Sequence, residues 1–141
     1  MALGVVILDQ LTKTWALRAA GDEPIELIAD VLQIRVARNT GAAFSILTGW
    51  GPLIGIVAVG VVVLIFVALG DAGHRFEAIG LGLILGGAVG NLLDRVFRGD
   101  GFFDGAVVDF VDFDFFPTFN VADAALNVGV AFLLIAVFLR R

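Results

Sequence analysis

The chain has 141 residues, 60% of them hydrophobic and only 16% charged, with a formal net charge of −5. So few charges cannot cover a soluble surface without leaving large apolar patches, so the composition points to an integral membrane protein, read here as one domain over 1–141. The acidic balance argues against nucleic acid as a partner. Cysteine is absent and His74 is the sole histidine, which excludes thiol catalysis, disulfides and Cys- or His-based metal sites. Chemistry in this chain falls to carboxylates, with no metal and no cofactor.

In chain order, the first candidate span runs over roughly 1–20. Met1 to Leu8 is apolar, but Asp9, Lys13 and Arg18 follow. Only eight residues precede Asp9, so either this helix is short on that side or upstream residues are missing. No basic stretch precedes the apolar run, so it does not read as a cleaved secretory signal. Within residues 22–47, Leu32-Gln33-Ile34-Arg35-Val36 alternates with period two, a strand signal, and Asn39-Thr40-Gly41 is a turn signal.

The second span, 52–70, carries no charged residue from Pro52 to Leu69, with Trp50 before it as an interfacial aromatic and Gly51-Pro52 as a helix start. Gly70 to Arg75 forms a tight loop. The third span, 77–96, has an apolar stretch too short for a bilayer unless the helix continues through Asp94 and Arg95. Its Gly82, Gly86 and Gly90 recur every four residues, a packing seam for another helix.

Residues 98–119 are rich in Gly, Asp and Phe and are predicted to lie at the membrane surface. Their rings would sit in the interface and their carboxylates, Asp112 and Asp114 among them, in water. Asp100 and Asp104 read as solvated loop acids. The last span, 121–139, carries Asp123 and ends at Arg140–Arg141.

Acids inside or beside membrane spans are costly and default to functional candidates. Asp9, Asp94 and Asp123 lie in spans, and Asp109 lies in the apolar run Val107-Val108-Asp109-Phe110. Asn91 and Asp94 share a spacing of three with Asn120 and Asp123, so each of two helices presents an amide and an acid on one face. Plainer readings compete. Asp9–Lys13, at i,i+4, could be a neutralising ion pair. Asp94–Arg95 could anchor a helix end, and Asn120 with Asp123 could be a capping arrangement. Two carboxylates converging at a membrane interface share one proton and support acid–base hydrolysis without metal or nucleophile. Asp109 and Asp123 are the candidate pair, joined by the loop between the last two spans.

Four stretches together resemble the lipoprotein signal peptidases (signal peptidase II, aspartyl peptidase family A8). They are Asp9-Gln10-Leu11-Thr12-Lys13, Asn39 to Ser45, Gly90-Asn91-Leu92-Leu93-Asp94-Arg95, and Val107-Val108-Asp109-Phe110 with Phe119-Asn120-Val121-Ala122-Asp123. The resemblance implies four transmembrane helices with a small extracytoplasmic β-sheet cradle and a surface helix, in a bacterial cytoplasmic (inner) membrane with both termini cytoplasmic. It implies removal of the signal peptide from diacylglyceryl-modified prolipoproteins just before the lipid-bearing Cys, and inhibition by globomycin-type peptides. It puts the catalytic pair on Asp109 and Asp123, and substrate-binding or supporting roles on Asp9, Lys13, Asn39, Gly41, Asn91, Asp94, Arg95 and Asn120. Family members usually carry more residues before the first Asp motif. A count of basic residues alone gives the reverse orientation and is set aside, because several of those residues look functional or paired. The alternative class is a small ion or proton carrier lined by intramembrane acids; the short spans lack the internal repeat common in transporters. A presenilin-type protease is disfavoured by the missing Gly-x-Gly-Asp motif.

Overall fold

The computed structural model describes residues 1–21, 23–41 and 51–139. The expectations for Trp50, Arg140 and Arg141, and the stretch from Ala42 to Ser45, fall outside those residues. Four long helices and four strands follow in the order α1 (Ala2–Ala19), β1 (Ile25–Ile28), β2 (Leu32–Asn39), α2 (Gly51–Gly70), α3 (Arg75–Phe97), β3 (Val107–Phe113), β4 (Phe116–Phe119) and α4 (Val121–Leu139). Among the described residues three helices, α2, α3 and α4, are long and apolar enough to cross a membrane. The surface helix implied by the resemblance is not found among the described residues.

α1 is built inside out. Asp9, Lys13 and Ala16, continued by Ala20 at the C-cap, form its buried stripe, while Leu3, Ile7, Leu8, Leu11 and Trp15 are exposed. In water that pattern would be untenable. Against an apolar surround such a pattern would be stable, because apolar side chains cover the outside and the charges pair within.

Glycines set how closely the helices approach. A methyl added at Gly86 would lie 2.7 Å from Val5 Cβ, and one at Gly90 would lie 2.7 Å from Asp9 Oδ2. The Gly82-Gly86-Gly90 seam therefore receives α1, which runs parallel to α3. A second seam holds α4: a Cβ at Gly87 would fall 2.5 Å from the Ala122 carbonyl oxygen, and one at Gly80 would fall 2.8 Å from that of Gly129. At the α2–α3 turn His74 caps α3, its Nδ1 accepting from the Phe76 N–H at 3.2 Å.

The strands form one antiparallel sheet in the order β1-β2-β3-β4. The alternation at 32–36 is strand β2, but the 98–119 segment is not a bare surface loop. It holds β3 and β4, and β3 is buried from Val107 to Phe110. A strand covered on both faces shows no period-two alternation, which hid it from sequence reading. Phe110 and Ile34 pack with Ala16 of α1 and with Ala20 at its C-cap, tying the sheet to the end of the bundle.

Asp112 corrects the expectation of a water-facing acid. It is 6% exposed and bonds Arg35 Nε (2.7 Å) and Nη2 (3.1 Å), Gln33 Nε2 (2.7 Å) and Thr118 Oγ1 (2.7 Å). Arg35 first, then Thr118 and Gln33, hold its carboxyl well below the usual carboxylate range. The cluster joins β2, β3 and the β4 strand. Asp114 does face water.

Candidate active site

Where α1, α3, β3 and the start of α4 meet, polar side chains gather in a protein that is otherwise mostly apolar. Asp109 lies on β3 opposite Ala37 of β2 and is 4% exposed. Its Oδ1 accepts from Asn120 Nδ2 at 2.7 Å and its Oδ2 from Asn39 Nδ2 at 3.2 Å. Burial, then the neighbouring charge of Asp123, push it up to about 6, against the opposing pull of those two amides.

Asp123 occupies the first turn of α4. Its Oδ2 accepts from the Asn120 N–H at 3.2 Å, and its own N–H donates to Asn120 Oδ1 at 2.9 Å. This is the reciprocal capping arrangement read from the Asn-x-x-Asp spacing. Its Oδ1 accepts from Asn91 Nδ2 at 2.9 Å. Asn120, wholly buried, therefore touches both acids, the Asp109 carboxylate with its side-chain amide and the Asp123 carboxylate with its backbone N–H. The capping reading and the site reading are compatible, because the cap is what holds Asp123 beside Asn120.

Below them lies an ion cluster with no exposed atoms on Asp9, Lys13 or Asp94. Lys13 Nζ bonds Asp9 Oδ2 and Asp94 Oδ2, both at 2.8 Å, and Asn91 Oδ1 at 2.9 Å. Three acceptors satisfy the three N–H donors of an ammonium. Asp9 Oδ1 accepts from the Ala122 N–H at 2.9 Å, and Asp94 Oδ2 from the Val108 N–H at 3.0 Å. Asp9–Lys13 is thus an ion pair, as its spacing suggested, and Asp94 belongs to the same cluster.

Two members were not singled out from sequence. Arg98 Nε donates to Asp94 Oδ1 at 2.7 Å, and this i,i+4 spacing was legible. Gln10 Nε2 donates to Gly90 O (3.0 Å), Asp94 Oδ1 (3.1 Å) and Asp9 Oδ2 (3.2 Å); only the approach of α3 reveals it.

Arg95 does not pair with Asp94, which takes Arg98 instead. Its Nη1 is buried and has no hydrogen-bond partner among the described residues. Its guanidinium lies under Gly41, where an added Cβ would be 3.2 Å from Nη2 and 3.4 Å from Nη1. Gly41 has φ +87°, and its N–H donates to Asn39 Oδ1 at 2.9 Å. Glycine is needed twice over here, for the left-handed backbone and for space, since an added Cβ would also lie 2.6 Å from Ile54 Cδ1. Among the described residues no three Asp, Glu or His side chains are arranged to hold a metal ion.

Carboxylates, carboxamides and buried cations, with no thiol, imidazole or hydroxyl group among the residues gathered, are equipped for acid–base hydrolysis. With two membrane-length helices, α3 and α4, carrying part of the set, the class is a membrane-embedded aspartic hydrolase. Comparison narrows it further: the model of the family described as Signal peptidase (SPase) II matches residues 1–139, and the chain belongs to that family of aspartic peptidases. The lipoprotein signal peptidase of Rhodococcus jostii is 45% identical over 134 residues, covering 94% of this chain and 68% of the relative. That of Mycolicibacterium smegmatis is 44% identical over 140 residues, covering 99% and 59%. The chain thus spans about three fifths to two thirds of these relatives' lengths. A bacterial membrane enzyme solved by the in meso method at 1.9 Å superposes with a TM-score of 0.83 at 33% identity, covering 96% of this chain and 88% of the other. A second such structure, at 2.3 Å, gives 0.73 at 34% identity. The ion-carrier alternative gains no support from this membership.

Proposed function

We propose that Asp109 and Asp123 are the pair with which this signal peptidase cuts the signal peptide from diacylglyceryl-modified prolipoproteins, just before the lipid-bearing Cys. The observation that carries the reading is Asn120, which bonds both carboxylates, at 2.7 Å and 3.2 Å. One carboxylate takes a proton from water as its oxygen attacks the scissile carbonyl. The other, protonated, donates to the carbonyl oxygen. Collapse of the gem-diol breaks the C–N bond, passes a proton to the leaving amine and returns one to the donor.

Asp9, Lys13, Asn91, Asp94 and Asn120 hold the pair. Asn39, Gly41 and Arg95 line the approach, and Arg95 Nη1, without a partner among the described residues, is a donor for a substrate carbonyl. α1 is the fourth span: its lipid-ready exterior and internally paired charges support that role. Both termini then face the cytoplasm, the site lies near the outer face of the bacterial inner membrane, and lipid surrounds the helices. Globomycin-type peptides would inhibit by occupying the pair.

The test is a synthetic diacylglyceryl prolipopeptide in micelles. Asp109→Asn and Asp123→Asn should each lower kcat by about 10²–10⁴-fold while the protein still inserts. A globomycin-type peptide should protect the substrate from the unsubstituted enzyme. Normal turnover by either variant overturns the reading.

A further inference from the structure

The two buried acids of the ion cluster have parallel tasks. Asp94 accepts from the N–H of Val108, the residue before Asp109, at 3.0 Å. Asp9 accepts from the N–H of Ala122, the residue before Asp123, at 2.9 Å. One ammonium, Lys13 Nζ, joins those two carboxylates at 2.8 Å each. Gln10 Nε2 joins them a second time, at 3.1 Å and 3.2 Å. A chain of short, charge-assisted contacts therefore runs from the backbone beside one acid to the backbone beside the other. It passes through side chains with no exposed surface, where such bonds are stiffest. Asn120 ties the same stretches of backbone from the other side, its Nδ2 donating to the Val108 carbonyl at 3.3 Å and its Oδ1 accepting from the Asp123 N–H at 2.9 Å. Asn91 links Lys13 to the Asp123 carboxylate, and the path through Asp94, Lys13 and Asp9 is the one that runs through α1.

We infer that Asp9, Lys13 and Asp94 form a gauge that fixes the separation of Asp109 and Asp123, making them positioning residues. The inference rests on the proposal that Asp109 and Asp123 are the catalytic pair. It has a specific consequence. Changing the gauge's length, with its charges kept, alters the chemical step rather than substrate binding.

Two variants change that length. Asp9→Glu adds one methylene between α1 and the Ala122 N–H. Gly90→Ala leaves every polar group intact but sets a methyl 2.7 Å from Asp9 Oδ2, which displaces that carboxylate. Each should lower kcat about a hundredfold, the effect of roughly an ångström of misplacement, with KM within about twofold. In both, the two limbs of the pH profile of kcat/KM should draw together. That spacing reports the coupling between the two carboxylates, which weakens as they part.

Asp109→Asn is assayed in parallel. If it remains active, the pair has been misassigned and the gauge falls with it. If it is inactive while folded Asp9→Glu and Gly90→Ala keep full kcat, or lose only KM, or leave the limbs unmoved, the gauge alone is overturned. Should Asp9→Glu fail to insert, Gly90→Ala decides the matter.

Discussion

Two ionic clusters tie this protein together, and they sit in opposite surroundings. On the sheet, Arg35 pairs with Asp112, but the Arg35 side chain is 51% exposed. Between α1 and α3, Lys13 pairs with Asp9 and Asp94, and none of the three side chains has any exposure. Both clusters join elements distant in sequence. In the sheet, water can take over when a partner is lost. In the bundle, nothing can. Burying ions yields little net stability when the pairing is complete and is severe when it is broken. The inner cluster is therefore better understood as a device for geometry than as a source of stability, and the outer one as a modest stabiliser of three strands.

Breaking the inner cluster should have the largest effect. Lys13→Met leaves the Asp9 and Asp94 carboxylates facing each other without their shared cation, and destabilisation of about 3–5 kcal/mol is expected. The variant should accumulate poorly in membranes and unfold early in micelles. Adding Asp9→Asn restores neutrality, because Asp94 keeps Arg98 at 2.7 Å. The double variant should recover much of the thermal stability but not turnover. Recovery of both would make the cluster merely structural, and recovery of neither would show that charge balance is not what limits the fold.

The same contrast explains what sequence could and could not reveal. Asp9 and Lys13 are four residues apart on one helix, so their pairing is a local fact. Arg98 follows Asp94 at the same interval and was equally readable. Asp94 joining Lys13 depends on α3 docking against α1, which the glycine seam at 82, 86 and 90 foretold in kind but not in register. Arg35 and Asp112 are 77 residues apart and meet only through the β2–β3 pairing. β3 carries no alternation because both its faces are covered, so Asp112 there read as an acid facing water. α2, α3 and α4 were legible from their apolar length, and α1, interrupted by Asp9, Lys13 and Arg18, was less so. The sheet was half legible because only β2 alternates.

Next in size is the outer cluster's acid. Asp112→Ala removes the common acceptor of Arg35, Gln33 and Thr118, and about 2 kcal/mol of stability should go with it. The sign with pH follows from the lowered folded-state value of Asp112. Its contribution is present above the ordinary carboxylate value, about 4, and fades as acid protonates it in the folded protein. Thermal unfolding in micelles should therefore separate the variant from the unsubstituted protein at neutral pH, with the gap narrowing in strong acid. A gap that stayed constant would assign the effect to packing.

The smallest effect separates the clusters most cleanly. Arg35→Ala leaves Asp112 with Gln33 and Thr118 as donors and with water able to reach the vacated position. The loss should be only about 0.5–1 kcal/mol, typical of a solvent-accessible pair. Because half of the Arg35 side chain is exposed, raising the salt from about 0.05 M to 1 M, where the Debye length falls to about 3 Å, should shrink that loss. The defect of Lys13→Met should not respond to the same change, since no counterion reaches a site without exposure. Unfolding temperatures of both variants across one salt series make the comparison direct. Equal salt sensitivity would mean that the inner cluster is hydrated, and the geometric role assigned to it would lose its physical basis.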